Sequence, residues 1–477
     1  MVKRVLCLAA LFTAQLCALD VGSFGAVGNG IADDTGAIQR AINECQPGWT
    51  LYFQPGNYLV HTLFAANNCT YQGTGSTTLT LAGPNQFIFS VSERSAVRIT
   101  GIRFDANNMG GAIIAQGFGP ADQIQIDNCE FHNVVASSAF PANLAIVSTW
   151  GFTNSTIQNN RFVNVAGGIW LTTIENVGIL NNTFTNITQS DAIYVAPNAV
   201  SFASGHNLRI AGNTGSGLAG AAIEIFRPDP PNGSSLNAPV IENNSFSHWT
   251  QPGLFAFSIT HGDGAIIRNN RLDNNGGPIL AMGIELIVAN ADVNNNVIAG
   301  QIANGIAVQG ASGPSIRGNT IAGMADNGIL LACDFVHGRC ASTGANISNN
   351  LITNAHHVGI KLDNDWSNGN VTRNTITRTA GFWGDDSSVI FTGIHQSPAP
   401  GPGTIDSNWI IQDSPTWPDG FWFAGVRVNS SMPGSQITNN IVGSSANAPF
   451  GSGLIDNTGN ATQGWFIQGN NFLNLVN

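Results

Sequence analysis

A four-residue pattern that returns along most of the chain restricts its fold more than any other feature. In Gly283–Ile284–Glu285–Leu286 a small residue is followed by an aliphatic, a variable residue and a second aliphatic. The same order stands at 168–171, 192–195, 222–225, 305–308, 328–331, 359–362 and 425–428, and at 393–396 with Gln396 in the last place. Strand side chains alternate between faces, so the two aliphatics of each copy point one way and the variable residue the other. The variable column reads Trp170, Tyr194, Glu224, Glu285, Ala307, Leu330, Lys361, His395 and Arg427.

A second pattern alternates with the first from about residue 97: an aliphatic, one residue, paired asparagines or glycine–asparagine, one residue, then an apolar residue. Ile157–Gln158–Asn159–Asn160–Arg161–Phe162 and Ile241–Glu242–Asn243–Asn244–Ser245–Phe246 are two of its copies. Copies recur at roughly 22 to 34 residues, the period of a stacked solenoid. One unit cannot bury its apolar face alone, whereas stacked units share a continuous core. Asparagine suits the corner because it tolerates a left-handed backbone and its amide can bond to the asparagine one coil above. Each coil is therefore expected to run strand, asparagine turn, strand, loop, patterned strand and variable loop. Three strands per coil, stacked in parallel about 4.8 Å apart, make a parallel β-helix.

Composition narrows the function. Charged residues are 9% of the chain, against about 25% in ordinary soluble domains. Such a chain has few side chains for chemistry, and the variable column gathers several of them. The net charge of −11 argues against nucleic acid and anionic membranes as partners. Residues 1–18 read as a secretory signal: Lys3 and Arg4, the apolar run 5–12, then the small residue Ala18. That run is too short to span a bilayer. Secretion is the expected localisation, with the periplasm as the alternative compartment, and residues 19–477 form the expected mature chain. Export permits disulfides. Cys333 and Cys340 flank a short loop and can close it, Cys45 and Cys69 can pin the start of the fold, and Cys129 is left over as a small buried residue.

After the signal comes the glycine-rich stretch 20–30, then Asp34 or Thr35 as the cap of a helix with Ala37, Ile38, Ala41 and Ile42 on its apolar face. The whole segment Val21–Gly22–Ser23–Phe24–Gly25–Ala26–Val27–Gly28–Asn29–Gly30, with Ala32–Asp33–Asp34–Thr35 and the helix behind it, resembles the start of the pectate-lyase-like superfamily of rhamnogalacturonase and epimerase type, related to glycoside hydrolase family 28. The resemblance implies an all-β fold: a single-stranded right-handed parallel β-helix with a short N-terminal capping helix. Residues 19–96 would form the cap and first coils, and 97–477 the repeated coils. It also implies a polysaccharide as ligand, with catalysis on the patterned strands and the loops after them. Several family motifs are missing. The polygalacturonase set is absent, as are the arginine and histidine motifs of calcium-dependent pectate lyases and the Asp–Pro–His–Glu type of motif of mannuronan epimerases.

Within the variable column, Glu224 and Glu285 stand out as candidate acid and base, with one coil (about 254–261) between them. Two coils are about 9.6 Å, near the top of the range for carboxyl pairs that hydrolyse a glycosidic bond with inversion. The chain holds seven glutamates, so two in one short patch are a concentration, although both could simply solubilise the sheet. Arg227 and Asp229 follow one strand, His261 and Asp263 the other, as candidate substrate contacts. Lys361 is the only lysine beyond the signal. With His395 and Arg427 it would form a basic row suited to an anionic glycan, and Lys361 or His395 could remove the proton alpha to a uronate carboxylate. Asp363 and Asp365 could instead compensate Lys361, or hold calcium, although such cations want six or more oxygens. Otherwise no metal or cofactor is expected. Trp170 and Tyr194 can stack on sugar faces or cover a neighbouring loop, and Trp366, Trp383, Trp417 and Trp422 can wall the same groove.

The expected function is thus a monomeric, carbohydrate-active β-helix, foremost a glycoside hydrolase using Glu224 and Glu285. A uronan lyase using Lys361 and His395 is the alternative chemistry, and a non-catalytic binding or surface protein the alternative class.

Overall fold

The computed structural model describes residues 18–477 except 75, 118, 136–143, 173, 197–205, 227–237, 335–337, 341, 364–365, 379–386, 393–401, 413–423, 429–432, 445–451, 457–463 and 474–477. The chain forms two compact units, Met1–Gln189 and Ser190–Asn477. In each, the chain passes repeatedly through three parallel sheets: one leading into the asparagine corner, one leaving it, and one of patterned strands. This is the parallel β-helix that the two alternating motifs require. No helix among the described residues is long and apolar enough to cross a membrane.

In the first unit the helix Thr35–Asn43 buries Ala37, Ile38, Ala41 and Ile42, as its spacing predicts. Its capping differs from expectation. Asp34 holds the N-cap position without a capping bond from its side chain. Its carboxylate instead accepts the N–H groups of Val27 (2.6 Å) and Gly28 (3.0 Å), tying down the glycine-rich segment. Asp33 Oδ1 takes the N–H of Thr35 at 3.0 Å and so serves the helix start. A disulfide joins Cys45 to Cys69. Phe104, Phe131, Phe162 and Phe184 stack as one aromatic column, with successive centroids 5.3, 4.7 and 4.7 Å apart. Cys129 is buried where other coils carry asparagine, its N–H donating to Asn160 Oδ1 at 2.9 Å. Burial pushes its thiol up to about 12, so it carries almost no thiolate at neutral pH.

In the second unit the corner works through a division of labour between paired asparagines. The first of each pair takes the left-handed conformation, with φ of +57° at Asn243, +56° at Asn269 and +55° at Asn295. The second turns inward and is buried. Its Nδ2 donates to Oδ1 of the asparagine on the next coil: Asn244 to Asn270 at 3.0 Å, Asn270 to Asn296 at 2.9 Å, Asn296 to Asn319 at 3.0 Å. The chain of amides continues through Asn350, Asn374, Asn408 and Asn440 to Asn470. Each Nδ2 spends its second hydrogen on a backbone carbonyl, as Asn270 does on Ile241 at 2.9 Å. Aliphatics before the corner stack in register from Ile241 through Ile267, Val293 and Ile316 to Ile347.

The small residue that opens each patterned strand is explained by close approach. A Cβ on Gly283 would lie 2.6 Å from the carbonyl oxygen of Gly305, and one on Gly328 only 2.5 Å from that of Gly359. The coil after Lys361 contributes Ser387–Thr392, with Val389 paired to Ile360 and Val426. The β-branched and aromatic run Val389–Ile390–Phe391–Thr392 suits a strand better than the glycine-led 393–396. Residues 393–396 lie outside the described residues.

Candidate active site

The patterned strands of the second unit bring distant residues onto one outward row. Cα pairing runs Tyr194, Glu224, Ser258, Glu285, Ala307, Leu330, Lys361, one residue per coil. The flanking residues, such as Ile223 and Ile225 beside Glu224 or Ile284 and Leu286 beside Glu285, have no exposed surface. Alternation therefore leaves the row residues facing outward. Ser258 is the occupant of the coil between the two glutamates.

Glu285 is nearly buried, at 7% exposure. Ser258 Oγ donates to its Oε2 at 2.6 Å. Burial raises the Glu285 carboxyl above the ordinary carboxylate range, the Ser258 bond pulls it back, and the charge of Asp334 adds a smaller upward push. Glu224 is partly buried and shares a hydrogen bond with Asp191. Burial, then the Asp191 charge and the shared bond, then Glu285, push its carboxyl up to about 8. Asp191 is also raised by burial, but it accepts the Ala221 N–H at 2.6 Å and the bond from Glu224, both of which favour its ionised form. The proton of the pair accordingly resides on Glu224 at neutral pH. Tyr194 stands beside them. Burial and the charges of Glu224 and Asp191 push its phenol up to about 12, so it is a neutral hydrogen-bond donor.

Asp191 escapes a reading of the sequence by alternation. It lies two residues before Ile193, in phase with the inward residues, but the strand begins only at Ile193, and Asp191 sits in the preceding turn. Its signal was an acidic residue directly ahead of a patterned strand.

The other candidates divide. His261 directly follows Thr260, whose Oγ1 is 3.0 Å from its Nδ1, just beyond the strand Phe255–Ile259. Asp263 is exposed and its Oδ1 accepts the Ala289 N–H at 3.0 Å, so it braces the next coil's turn. Lys361 Nζ is 3.7 Å from Asp363 Oδ2, both half-buried, which is the compensation weighed from the sequence. Arg427 is buried, and its Cα partner is Phe391. Arg227, Asp229, Asp365 and His395 lie outside the described residues. Trp170, in the first unit, packs against a cluster of Phe87, Ile114, Leu144 and Val147. Trp366 is fully buried, not a groove wall, with its ring filling the space beside Gly369 and Gly403. Trp383, Trp417 and Trp422 lie outside the described residues. Among the described residues no group of three or more His, Cys, Asp or Glu is placed to hold a metal ion.

The Glu224 carboxyl has a consequence for stability that needs no substrate. Its raised value means that its contribution to stability is complete below the ordinary 4.5 and is lost as pH rises through about 8. Carboxylates held low, such as Asp127, Glu242 and Asp406, act in the opposite sense and below that window. Replacing Glu224 with glutamine is thus expected to raise the Tm relative to the parent at pH 8 and to leave it level at pH 5. Thermal melts at the two pH values check this, and a constant offset at both would disprove the assignment.

Comparison with known proteins places this geometry. The family model described as "right handed beta helix region" matches residues 65–232 and 231–472. Mannuronan C5-epimerase AlgE6 of Azotobacter vinelandii is 35% identical over 85 residues, 17% of this chain and only 10% of that protein's length. Its A-module, as a solved structure, is 17% identical, with 95% of this chain and 99% of that one covered and a TM-score of 0.43. A tailspike protein mutant of E. coli bacteriophage HK620, in complex with a hexasaccharide, is 11% identical, with 94% and 80% covered and a TM-score of 0.50. At such identity the likeness is one of fold. With the family model spanning most of its coils, this chain belongs to the right-handed β-helix family.

Proposed function

We propose that this protein hydrolyses a glycosidic bond in a polysaccharide, with Glu224 as general acid and Glu285 as general base. The observation that carries the reading is the placement of two carboxyls two rungs apart on one outward row, in environments that separate their proton affinities. Glu224 receives several upward pushes, including a hydrogen-bonded neighbouring carboxyl, whereas Glu285 accepts a hydroxyl bond that favours its anion. Such a division assigns acid and base. Glu224 would protonate the leaving glycosidic oxygen while Glu285 takes a proton from a water attacking the opposite face of the sugar. Two rungs, about 9.6 Å at the backbone, leave room for that water, as inversion requires about 6.5–9.5 Å between carboxyls. Tyr194 supplies a neutral donor and ring surface beside the acid. The glycan class is supported by the bound hexasaccharide in the tailspike's description and by the mannuronan named for the epimerase relative. Secretion, proposed from the signal-like residues 1–18, would place the enzyme where polysaccharides are met.

Purified protein incubated with pectic, alginate and neutral glycans is expected to release new reducing ends without ultraviolet-absorbing unsaturated uronate. Unsaturated product would point to β-elimination and the Lys361 alternative. Altered uronate configuration without cleavage would point to epimerisation, and binding without turnover to the non-catalytic class. Any of the three would displace the hydrolase reading.

A further inference from the structure

The last coils of the second unit carry an open hollow on the sheet that leads into the asparagine corner, a different sheet from that of Glu224 and Glu285. Its floor is built from the strands Thr404–Asp406, Gln436–Thr438 and Phe466–Gln468. Ile405 and Ile437 at the strand centres are buried, so the residues on either side of them face outward. Register sets the outward residues in two rows, Thr404–Gln436–Phe466 and Asp406–Thr438–Gln468. Asn439 and Gly469 close the hollow at the corner. Its volume is about 580 Å³, inside the range of about 300–1,000 Å³ for small-ligand sites. Among the described residues that line it, Phe466 is the single aromatic and Asp406 the single charge. Phe466 is 54% exposed.

The carboxylate is held in place before any ligand arrives. Asp406 Oδ1 accepts Thr438 Oγ1 at 2.6 Å and Asn439 Nδ2 at 2.8 Å, and Oδ2 accepts Ser407 Oγ at 2.8 Å. Burial pushes the group up, but these bonds and the charge of Arg373 outweigh it and hold the carboxyl below its ordinary range. A carboxylate has about four lone-pair sites, so Asp406 keeps room for a hydroxyl donor. Gly469 completes the frame. A Cβ there would lie 2.5 Å from Asn439 Oδ1, so the bare corner leaves space for the amide whose Nδ2 steadies Asp406. We propose that this hollow is a second glycan-binding site that takes a neutral oligosaccharide, with Phe466 stacked on a sugar face and Asp406, Gln436 and Gln468 bonded to its hydroxyls. A ring half in water above a polar floor gains most from a ligand with one C–H face and many hydroxyls. An apolar ligand would strand the threonine, glutamine and carboxylate groups without partners. A uronate would bring its charge against Asp406 with no basic group in the lining to receive it. Binding at this face needs no turnover, so it stands apart from the hydrolase reading.

The test reads the hollow by itself. The full chain with 4-fluorophenylalanine in place of Phe466 gives one fluorine resonance, which cellohexaose, xylohexaose or maltohexaose is expected to shift saturably. Hexagalacturonate and hexamannuronate should bind there about tenfold more weakly or less. Asp406→Asn in the fluorinated chain is expected to raise the Kd for the neutral sugar about tenfold, the usual loss with a charged hydrogen bond. Gln436→Ala should raise it about threefold or more. Gln436 is an exposed side chain, so this variant keeps the proposal testable if Asp406→Asn loosens the corner. Glu224→Gln should leave the titration where it is. The proposal is overturned by no saturable shift with any of the three neutral sugars, or by uronate oligomers that bind as tightly. A titration untouched by both Asp406→Asn and Gln436→Ala overturns it too. A saturable shift without turnover on any glycan would uphold this site and reject the hydrolase reading. Turnover without the shift would do the reverse.

Discussion

Replacing Glu224 with glutamine is expected to lower kcat by about 10²–10⁴-fold while leaving KM within a few-fold. Glutamine keeps the shape and the hydrogen bond to Asp191 but carries no proton to give, so the loss falls on the transition state alone. The parent enzyme should lose activity as pH rises through about 8, where Glu224 gives up its proton, and that alkaline limb should vanish from the residual activity of the variant. Asp191→Asn offers a second reading of the same pair. With the neighbouring charge removed, the Glu224 carboxyl should fall toward the ordinary 4.5 and the limb should move acidward. Steady-state kinetics on a cleaved glycan, across pH 4 to 9 or thereabouts, would show both. Full turnover in the glutamine variant would remove Glu224 from the mechanism.

The second large effect concerns the scaffold. Asn296→Ala is expected to lower the unfolding free energy by about 3 kcal/mol or more. The Asn296 Oδ1 accepts both the N–H and Nδ2 of Asn270 at 2.9 Å, and its Nδ2 donates to Ile267 O at 2.9 Å and Asn319 Oδ1 at 3.0 Å. The site is fully buried, so alanine would leave several polar groups with neither partner nor water. Its neighbour provides the control. Asn295 holds a φ of +55° outside the amide chain, and alanine there meets the left-handed backbone penalty of about 1 kcal/mol and gives up one long bond, from Nδ2 to Asn294 Oδ1 at 3.3 Å. Denaturant melts of the two variants should rank them in that order. The reverse ranking would mean that corner geometry, rather than the buried amides, secures the coils.

Both effects come from features of different visibility in the sequence. The coils, the stacked asparagines and the outward row were readable because period-two alternation and a repeated corner leave little choice of register. Both disulfides match the expected pairings, Cys333–Cys340 across a short loop and Cys45–Cys69 at the start of the fold. Reading failed where the chain leaves the alternating pattern. Asp191 was missed because a turn breaks alternation just before Ile193.

The buried amides also act as a ruler that ignores contour length. Consecutive asparagines in the second unit are separated by as few as 23 residues and as many as 34, yet their Nδ2–Oδ1 distances stay at 2.9 to 3.0 Å. Axial rise is thereby decoupled from how much chain each coil spends at the rim. Segments beyond the patterned strands can grow, shrink or be exchanged without moving Glu224 relative to Glu285. A scaffold of this kind lets the rim change while Glu224 and Glu285 hold their separation.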